Sequence, residues 1–278
     1  MGPGAAMRPE GAERSAVVIA ETVRRAAALA GVDLPAARLV VGAAGAGRAQ
    51  ERRELEAALL AHGVARRTRA TSDGEIALAA AFGKEGGGRD GAGIFLNAGT
   101  GSVAFARDPE GRVHRSGGLG WQLGDEGGGY WLGRRALQAA GRATDGRGEG
   151  STLLSRLLAA LGLTDFGALI RWAALASPAQ VAALAPHLLN AAREGEAVAQ
   201  RSVEEAAREL VALVGALARH FPEPEPLAVA TGGGLLRPTS PLLAAVRAAL
   251  AADLPRAQLA RRTVDAPLGA LRLAAEME

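Results

Sequence analysis

The stretch NAGTGSVAFARDPEGRVHRSGGLGWQLGDEGGGYWLG, residues 97–133, decides the fold and the function that the sequence predicts. It joins a glycine-containing strand hairpin to a second glycine-rich loop that carries two adjacent carboxylates, Asp125 and Glu126. Two of the three tryptophans and the only tyrosine also fall within it, which is not the composition of a flexible linker. We therefore predict a packed binding site for a nucleotide and a second substrate.

Composition narrows the class of protein. The 278 residues are 49% hydrophobic, enough for one large domain or two of ordinary size, and we predict two. No apolar run of about 18 residues and no signal-like N-terminus is present, so we expect a cytoplasmic protein without a membrane partner. The chain has no cysteine, which excludes disulfides, thiolate catalysis and iron–sulfur clusters.

Charge and histidine placement argue against two further classes. The formal net charge is only +3, and the high pI of 10.3 arises because Lys84 is the single lysine among many arginines. The arginines are dispersed and aromatic residues make up 3% of the chain, so no nucleic-acid partner is expected. The four histidines lack ligand spacing, and we predict no metal-binding residue in the protein.

The N-terminal part alternates helices and strands. Hydrophobic spacing predicts helices at 15–30 and 50–61, strands at 37–43 and 66–71, and an alanine-rich helix that begins after Ser72. Ser72 and Glu75 have the spacing of a capping box. Such alternation predicts an α/β fold with a partly parallel sheet.

A glycine-rich segment at 84–93 predicts a domain boundary. We assign residues 1–90 to the first domain, joined by the C-terminal helix 267–278, and 91–266 to the second, which contains a helical insertion. The second domain should start with an antiparallel meander of three strands, 93–97, 103–107 and 112–116. Helices are then predicted at 131–140, 151–161, 165–175, 178–192 and 196–220, followed by a strand at 227–231, a helix at 241–251, a strand at 257–264 and a helix at 267–276.

Three glycine motifs carry the predicted chemistry. In NAGTGS, 97–102, Gly99 and Gly101 allow a tight turn whose N–H groups can approach phosphate, and Thr100 and Ser102 add hydroxyls, although an ordinary hairpin turn is the alternative. In the second loop, Asp125 and Glu126 would lie at the start of a helix. An acid there can cap the helix or bind a sugar hydroxyl, but capping leaves the glycines on both sides of the pair unexplained.

The third motif and a separate acid complete the candidates. TGGG, 231–234, stands between a predicted strand and a predicted helix, a geometry that lets a purine or phosphate lie against bare backbone. Asp73 lies in the first turn of a predicted helix, where an acid is favourable in itself. Because Ser72 and Glu75 already supply the cap, Asp73 is available for another role.

Together, GTGS after a strand, GGxGxxxGDEG before a helix and TGGG after a later strand resemble the sugar kinases of the acetate kinase, actin and Hsp70 superfamily. The similarity is closest to the N-acetylglucosamine kinase-like branch, the BadF/BadG/BcrA/BcrD ATPase family. It implies two ribonuclease H-like domains with a cleft between them, ATP and Mg²⁺ as cofactors, and phosphorylation of an amino sugar. Members often dimerise, so a homodimer is an expectation for this chain.

The resemblance also implies roles for the motif residues. Asp73 matches the catalytic base that accepts the proton of the sugar hydroxyl. The cofactor-binding residues are the second phosphate loop and the adenosine motif: Gly99, Thr100, Gly101, Ser102, Gly232, Gly233 and Gly234. The sugar-contacting residues are Gly118, Leu119, Gly120 and Asp125.

This chain departs from the family pattern in two places. It has no DGGGT-like first phosphate loop, and its GPGAAMRPEG resembles the segment that follows the first three strands of the family. We therefore expect a first domain without its leading strands, an N-terminally shortened chain and weak or absent kinase activity. An in-frame DGGGT-like segment in the DNA upstream of Met1 would support this expectation, and its absence would contradict it.

The second departure concerns the sugar. Relatives that act on N-acetylglucosamine usually carry Trp where Leu119 stands, and Asn near positions 4 to 5, where this chain has Ala. Leu cannot stack on a sugar ring as Trp does, so Trp121 is the candidate to replace it. The amino sugar stays open between N-acetylglucosamine and a glucosamine-like hexosamine.

The sequence also has two interpretations other than a sugar kinase. A non-catalytic sugar- or nucleotide-binding pseudokinase is the alternative, because the first phosphate loop is missing. A purely structural interaction module would need neither GTGS nor GDEGGG. The same family includes activators of acyl-CoA dehydratases that use a cysteine-ligated iron–sulfur cluster, and the absence of cysteine excludes that role.

Overall fold

A computed structural model describes residues 11–43, 48–83, 91–260, 264 and 266–277. Its contacts divide the chain into two compact units, one of Met1–Ala92 with Val264–Glu278 and one of Gly93–Thr263. The segments compared above with the family's N-terminal region, 1–10, and with a glycine-rich linker, 84–90, lie outside the described residues.

The first unit is built on a two-stranded parallel sheet of β1 (Leu39–Gly42) and β2 (Thr68–Thr71). Its helices are α1 (Ala12–Ala30), α2 (Ala49–Ala61), α3 (Asp73–Phe82) and α11 (Ala266–Ala275). The predicted helices and both predicted strands are confirmed within a few residues, and α1 ends at Gly31 in the left-handed conformation. Helix α11, although last in the chain, packs on α3 and β1 in this unit.

The second unit contains a five-stranded mixed sheet in the order β5-β4-β3-β6-β7. The strands are β3 (Gly93–Ala98), β4 (Ser102–Arg107), β5 (Val113–Gly117), β6 (Leu227–Gly232) and β7 (Ala257–Leu259). The predicted meander is confirmed, because β3, β4 and β5 pair antiparallel in sequence order. Strands β6 and β7 then extend the sheet in parallel, and β3 pairs with β6.

Seven helices of the second unit lie among its described residues. They are α4 (Gly129–Thr144), α5 (Leu153–Leu161), α6 (Phe166–Leu175), α7 (Pro178–Ala182), α8 (Ala185–Arg193), α9 (Ala197–Ala218) and α10 (Pro241–Asp253). Helix α9 contacts β3, β4 and β5. One continuous core joins β3, β4 and β6 to α4, α5, α8, α9 and α10, so the site described below rests on packed elements.

Three predicted elements differ from the structure. The helix predicted at 178–192 is two helices, α7 and α8, because Pro186 lacks an N–H and its ring would clash with the carbonyl of Ala182. Strand β7 ends at Leu259 rather than at 264, and 261–263 lie outside the described residues. Helix α4 begins at Gly129, so Asp125 and Glu126 precede it by a full turn.

Among the described residues, no single helix is long and apolar enough to cross a membrane. Helices α5 and α6 are long and apolar enough only when taken together, and the pair is bent by 66° at the break between them.

Two glycines of α4 allow a matched test of this packing. A methyl group on buried Gly133 would overlap the carbonyl oxygen of Val181 on α7, whereas one on Gly141 would find its nearest neighbour, Phe166, at 3.8 Å. We expect Gly133→Ala to lower the free energy of unfolding by about 2–3 kcal/mol. Gly141→Ala should be neutral or stabilising by up to about 1 kcal/mol, because alanine favours helix. Urea denaturation measures both, and equal effects would contradict the described contact.

Candidate active site

A tight turn of residues 99–101 connects β3 to β4. The two strands pair up to Ala98 and Ser102, so only Gly99, Thr100 and Gly101 lie outside the ladder. The N–H of Gly99 donates to the carbonyl of Gly101 at 2.9 Å, which closes the turn on itself. The Thr100 side chain is exposed at the tip. The GTGS motif therefore forms a closed hairpin turn in which Thr100 is exposed and Ser102 is buried.

This turn caps the N-terminus of α4. The N–H groups of Gly129 and Tyr130 donate to the carbonyls of Gly99 and Thr100 at 2.8 and 2.9 Å. The first N–H groups of a helix have no partner within the helix, and here a neighbouring backbone supplies acceptors. Asp125 and Glu126 do not cap α4, because its N-cap is Gly128, with no side-chain hydrogen bond. The capping alternative for the acidic pair is wrong.

The glycines after the acidic pair are required by this contact. A Cβ on Gly128 would lie 2.8 Å from Cα of Gly101, and one on Gly129 would lie 2.9 Å from the carbonyl oxygen of Gly99. Gly127 has φ +76° and would place a Cβ 2.7 Å from the carbonyl oxygen of Ala206 on α9. Each of these three glycines, which capping left unexplained, approaches protein backbone. Gly128 and Gly129 allow the turn and α4 to touch, and Gly127 allows the loop to approach α9.

Asp125 is tied to the same turn. It is the only non-glycine residue with positive φ among the described residues, at +63°. Its Oδ1 accepts from the N–H of buried Ser102 at 3.2 Å, and its carboxylate packs on Gly101. The Ser102 hydroxyl donates to the carbonyl of Glu126 at 2.6 Å. The predicted sugar residue and the predicted phosphate loop are thus joined by two hydrogen bonds.

Two backbone donors of the turn stay open. The N–H groups of Thr100 and Gly101 make no hydrogen bond to another residue in the described part of the chain. Open space surrounds the Cα of Gly99, because a Cβ built there meets nothing within 4 Å. Backbone N–H groups need a partner when solvent is excluded, and phosphate oxygens are strong acceptors. The turn can therefore supply two N–H groups and one hydroxyl to an anion.

The TGGG motif lies beside this turn. Strand β6 runs parallel to β3 with Gly232 opposite Asn97, and carboxyl ends of parallel strands meet at one edge of a sheet. Gly232 and Gly233 are needed for packing, because a Cβ would collide with the Phe95 ring and with the carbonyl oxygen of Ala98 respectively. Gly234 alone faces open space. The helix predicted at 241–251 after TGGG is confirmed as α10, which begins at Pro241.

The loop at 117–124 exposes apolar side chains next to the turn. The N–H of Gly118 donates to the carbonyl of Ser102 at 2.8 Å, and Gly118 and Gly120 both have positive φ. Leu119 and Trp121 are 64% and 45% exposed. The ring centroids of Trp121 and Tyr130 lie 5.0 Å apart, and the backbone N–H of Tyr130 donates to the carbonyl of Thr100.

Sequence reasoning missed two side chains that support these loops. Arg115 donates through Nε to the carbonyl of Gly117 at 3.0 Å and through Nη2 to that of Gly118. The Oδ1 atom of Asn97 lies 2.9 Å from the position that a Cβ of Gly233 would occupy. The position of Asn97 at the end of a strand directly before the glycine turn was a usable signal. Nothing local distinguished Arg115 from other surface arginines.

Asp73 belongs to the first unit, where it is the first residue of α3. The predicted capping box is confirmed: the N–H of Glu75 donates to the Ser72 hydroxyl at 3.1 Å and the Glu75 carboxylate accepts from the N–H of Ser72 at 3.3 Å. The exposed carboxylate of Asp73 accepts the N–H of its neighbour Gly74 at 3.0 Å. It lines a groove of about 470 Å³ along β1, together with parts of α1 and α11.

The described residues hold no group of three or more His, Asp and Glu side chains that could bind a metal ion. His114 instead bonds the buried carboxylate of Asp108 at 2.8 Å and stacks on His220 with ring centroids 3.7 Å apart. Burial alone would raise the pKa of Asp108, but hydrogen bonds from His114 and Arg112 outweigh it and hold this pKa well below its usual range. This cluster closes the β4–β5 turn.

Comparison with known proteins agrees with the motifs. A sequence profile of the BadF/BadG/BcrA/BcrD ATPase family matches residues 3–274. The chain belongs to this family. As a BadF/BadG/BcrA/BcrD ATPase family member, it is a nucleotide-using protein.

The similarity extends to individual proteins. The N-acetylmuramic acid/N-acetylglucosamine kinase of Clostridium acetobutylicum is 31% identical over 239 residues, which cover 85% of this chain and 76% of the relative. The crystal structure of a proposed N-acetylglucosamine kinase from Chromobacterium violaceum has a TM-score of 0.76 at 30% identity and covers 98% of this chain and 88% of that one.

A more distant structure shares the fold alone. The ROK family glucokinase of Streptomyces griseus, solved with glucose and AMPPNP, has a TM-score of 0.56 at 20% identity and covers 93% and 86% of the two chains. Together with the parallel sheet of the first unit and the mixed sheet of the second, these likenesses confirm the predicted α/β fold with two ribonuclease H-like domains.

The link between Asp125 and Ser102 can be tested without any ligand. Asp125→Ala removes the acceptor of a buried N–H and places alanine at positive φ, so we expect unfolding free energy to fall by about 1–3 kcal/mol. Asp125→Asn keeps an oxygen acceptor and a residue that tolerates this backbone, so most of the stability should remain. Denaturant unfolding compares the two variants, and an Asp125→Ala protein as stable as the parent would contradict the role assigned to this carboxylate.

Proposed function

We propose that this protein is an ATP-dependent kinase that phosphorylates a hydroxyl group of an amino sugar, N-acetylglucosamine or a glucosamine-like hexosamine. The observation that carries the proposal is the open pair of N–H groups at Thr100 and Gly101, at the sheet edge shared with TGGG. The names of the Clostridium and Chromobacterium relatives support the same reaction.

On the phosphate side, the N–H groups of Thr100 and Gly101 and the Thr100 hydroxyl bind ATP phosphate oxygens. Three donors that converge on one exposed turn suit a polyanion, and the capping of α4 holds them in place before ATP arrives. Gly234 offers bare backbone beside the adenosine. Mg²⁺ would be held mainly by ATP oxygens and water, since the described residues hold no cluster of acidic or histidine ligands for it, and it would neutralise phosphate charge.

On the sugar side, the loop containing Gly118, Leu119 and Gly120 contacts the ring. Trp121 supplies the aromatic face that Leu119 cannot, because its indole is partly exposed in the same loop. Asp125 has one oxygen committed to Ser102, which leaves its other oxygen to accept from a sugar hydroxyl. A shared carboxylate of this kind would couple sugar binding to the phosphate turn.

Asp73 is the base of the proposed reaction. The sugar hydroxyl oxygen forms a bond to the γ-phosphorus, the bond from that phosphorus to the bridging oxygen of ADP breaks, and the hydroxyl proton moves to the Asp73 carboxylate. An exposed carboxylate that is not needed for capping is suited to accept it.

Production of ADP across a panel of hexosamines tests the proposal. We expect weak sugar-dependent turnover that falls about 10²- to 10⁴-fold in Asp73→Asn, because the amide cannot accept the proton, while sugar affinity changes little. Asp33→Asn is the matched control, an exposed aspartate of the same unit, and should retain full activity.

Two results would count against the proposal. Turnover that survives in Asp73→Asn would remove the assigned base. Sugar or nucleotide binding without turnover for any hexosamine would instead support the pseudokinase alternative.

A further inference from the structure

A second cavity of about 700 Å³ lies between α4 and α9 in the second unit. Each helix contributes residues spaced by three and four, which lie on one helical face. The lining residues are Arg135, Gln138, Ala139 and Arg142 on α4 and Val198, Arg201, Ser202 and Glu205 on α9. The volume falls within the roughly 300–1,000 Å³ range of small-molecule sites.

A fourth arginine comes from the connection after α4. The N–H of Gly148 donates to the carbonyl of Arg142 at 2.9 Å, and a Cβ on Gly148 would lie 2.9 Å from that of Arg142. The connection therefore folds tightly against the last turn of α4. This fold brings Arg147 to the cavity wall.

The cavity carries an excess of positive charge. Arg135 pairs with Glu205, Arg147 with Asp145 and Arg201 with Glu149. Arg142 makes no ion pair among the described residues, although it interacts electrostatically with Asp145, and it donates to the carbonyl of Arg147 at 3.2 Å.

The guanidinium groups also keep donors available. In the described part of the chain, Nη1 of all four cavity arginines makes no hydrogen bond. Arg135 is further held by the Trp131 ring, whose centroid lies 4.6 Å from its Cζ. The acidic partners of Arg135, Arg147 and Arg201 engage Nη2, and in Arg147 also Nε, and leave Nη1 available. Guanidinium donors that line one cavity suit phosphate, whose oxygens they can contact in pairs.

Compensation of the α4 dipole explains only part of this charge. A cation in the last turn of a helix is favourable, which accounts for Arg142. Arg135 lies in the second turn of α4, and Arg201 lies near the N-terminus of α9, where a cation has no such benefit. The shared feature of the four arginines is the cavity itself.

We propose that this cavity binds a small phosphate monoester, such as a phosphorylated sugar, at a site separate from the candidate active site. No residue of the cavity belongs to the turn, loop or glycine motifs described above. Arg142 lies 13 positions after Gly129 along α4, about 20 Å at the rise of a helix. Gln138 supplies an amide for the hydroxyl groups of such a ligand.

Isothermal titration calorimetry on the whole protein without ATP tests the proposal. Glycerol 3-phosphate is the decisive probe, because it carries the phosphate monoester without an amino sugar, and glycerol is its neutral control. We expect saturable binding that weakens with added salt. Arg142→Gln/Arg147→Gln should raise the dissociation constant about tenfold or more, because two charge-assisted contacts are lost. Arg247→Gln, an exposed arginine on α10, should leave it unchanged.

The outcomes separate this site from the kinase proposal. Binding of equal strength in the double variant, or no saturable binding by the parent, would overturn the inference and leave the kinase proposal untouched. Thermal unfolding checks that the variants are folded. If the double variant is not, Arg142→Gln alone preserves all three ion pairs and should still weaken binding.

Discussion

The contact between the turn at 99–101 and the first turn of α4 is the constraint on which the candidate site depends. Two backbone hydrogen bonds join them, and Gly128 and Gly129 are small enough to let the chains touch. Ser102, which follows the turn, also donates hydrogen bonds to the Asp125 carboxylate and to the Glu126 carbonyl. The carbonyls of Gly99 and Thr100 accept from the helix, and the N–H groups of Thr100 and Gly101 have no partner in the described part of the chain.

The pairing of strands brings a second glycine motif to the same edge of the sheet. Parallel pairing of β3 with β6 brings TGGG to the edge where GTGS ends, although more than 120 residues separate them in the chain. The exposed loop with Leu119 and Trp121 is fixed to Ser102 through Gly118. Asp73 stands in the first unit, at a helix start whose cap is made by other side chains. In this arrangement each proposed ligand group is held by backbone contacts that exist without the ligand.

Local sequence patterns predicted much of this architecture. The meander, the capping box at Ser72 and most helices follow from hydrophobic spacing and short-range hydrogen bonding, which act over a few residues. The break at Pro186 was missed because a helical apolar pattern continues across it, although the ring of proline forbids the helix. Proximity in sequence also misled the interpretation of Asp125, whose partner Ser102 lies 23 residues away.

Glycine was the hardest residue to interpret. The sequence predicted nucleotide approach at Gly232 and Gly233 and left Gly127, Gly128 and Gly129 unexplained, and in the structure each of the five approaches protein backbone or a packed ring. Only the tertiary fold distinguishes these two uses, because both require the absence of a Cβ. Gly99 and Gly234 face open space, and the nucleotide roles predicted for Gly99, Gly232, Gly233 and Gly234 stay predictions.

The most direct test of the account is a crystal structure of this protein with Mg²⁺ and a non-hydrolysable ATP analogue. We predict β- or γ-phosphate oxygens within hydrogen-bond distance of the N–H groups of Thr100 and Gly101, with the turn still bonded to α4. A nucleotide bound elsewhere, or a turn that leaves α4 to reach the phosphates, would contradict it.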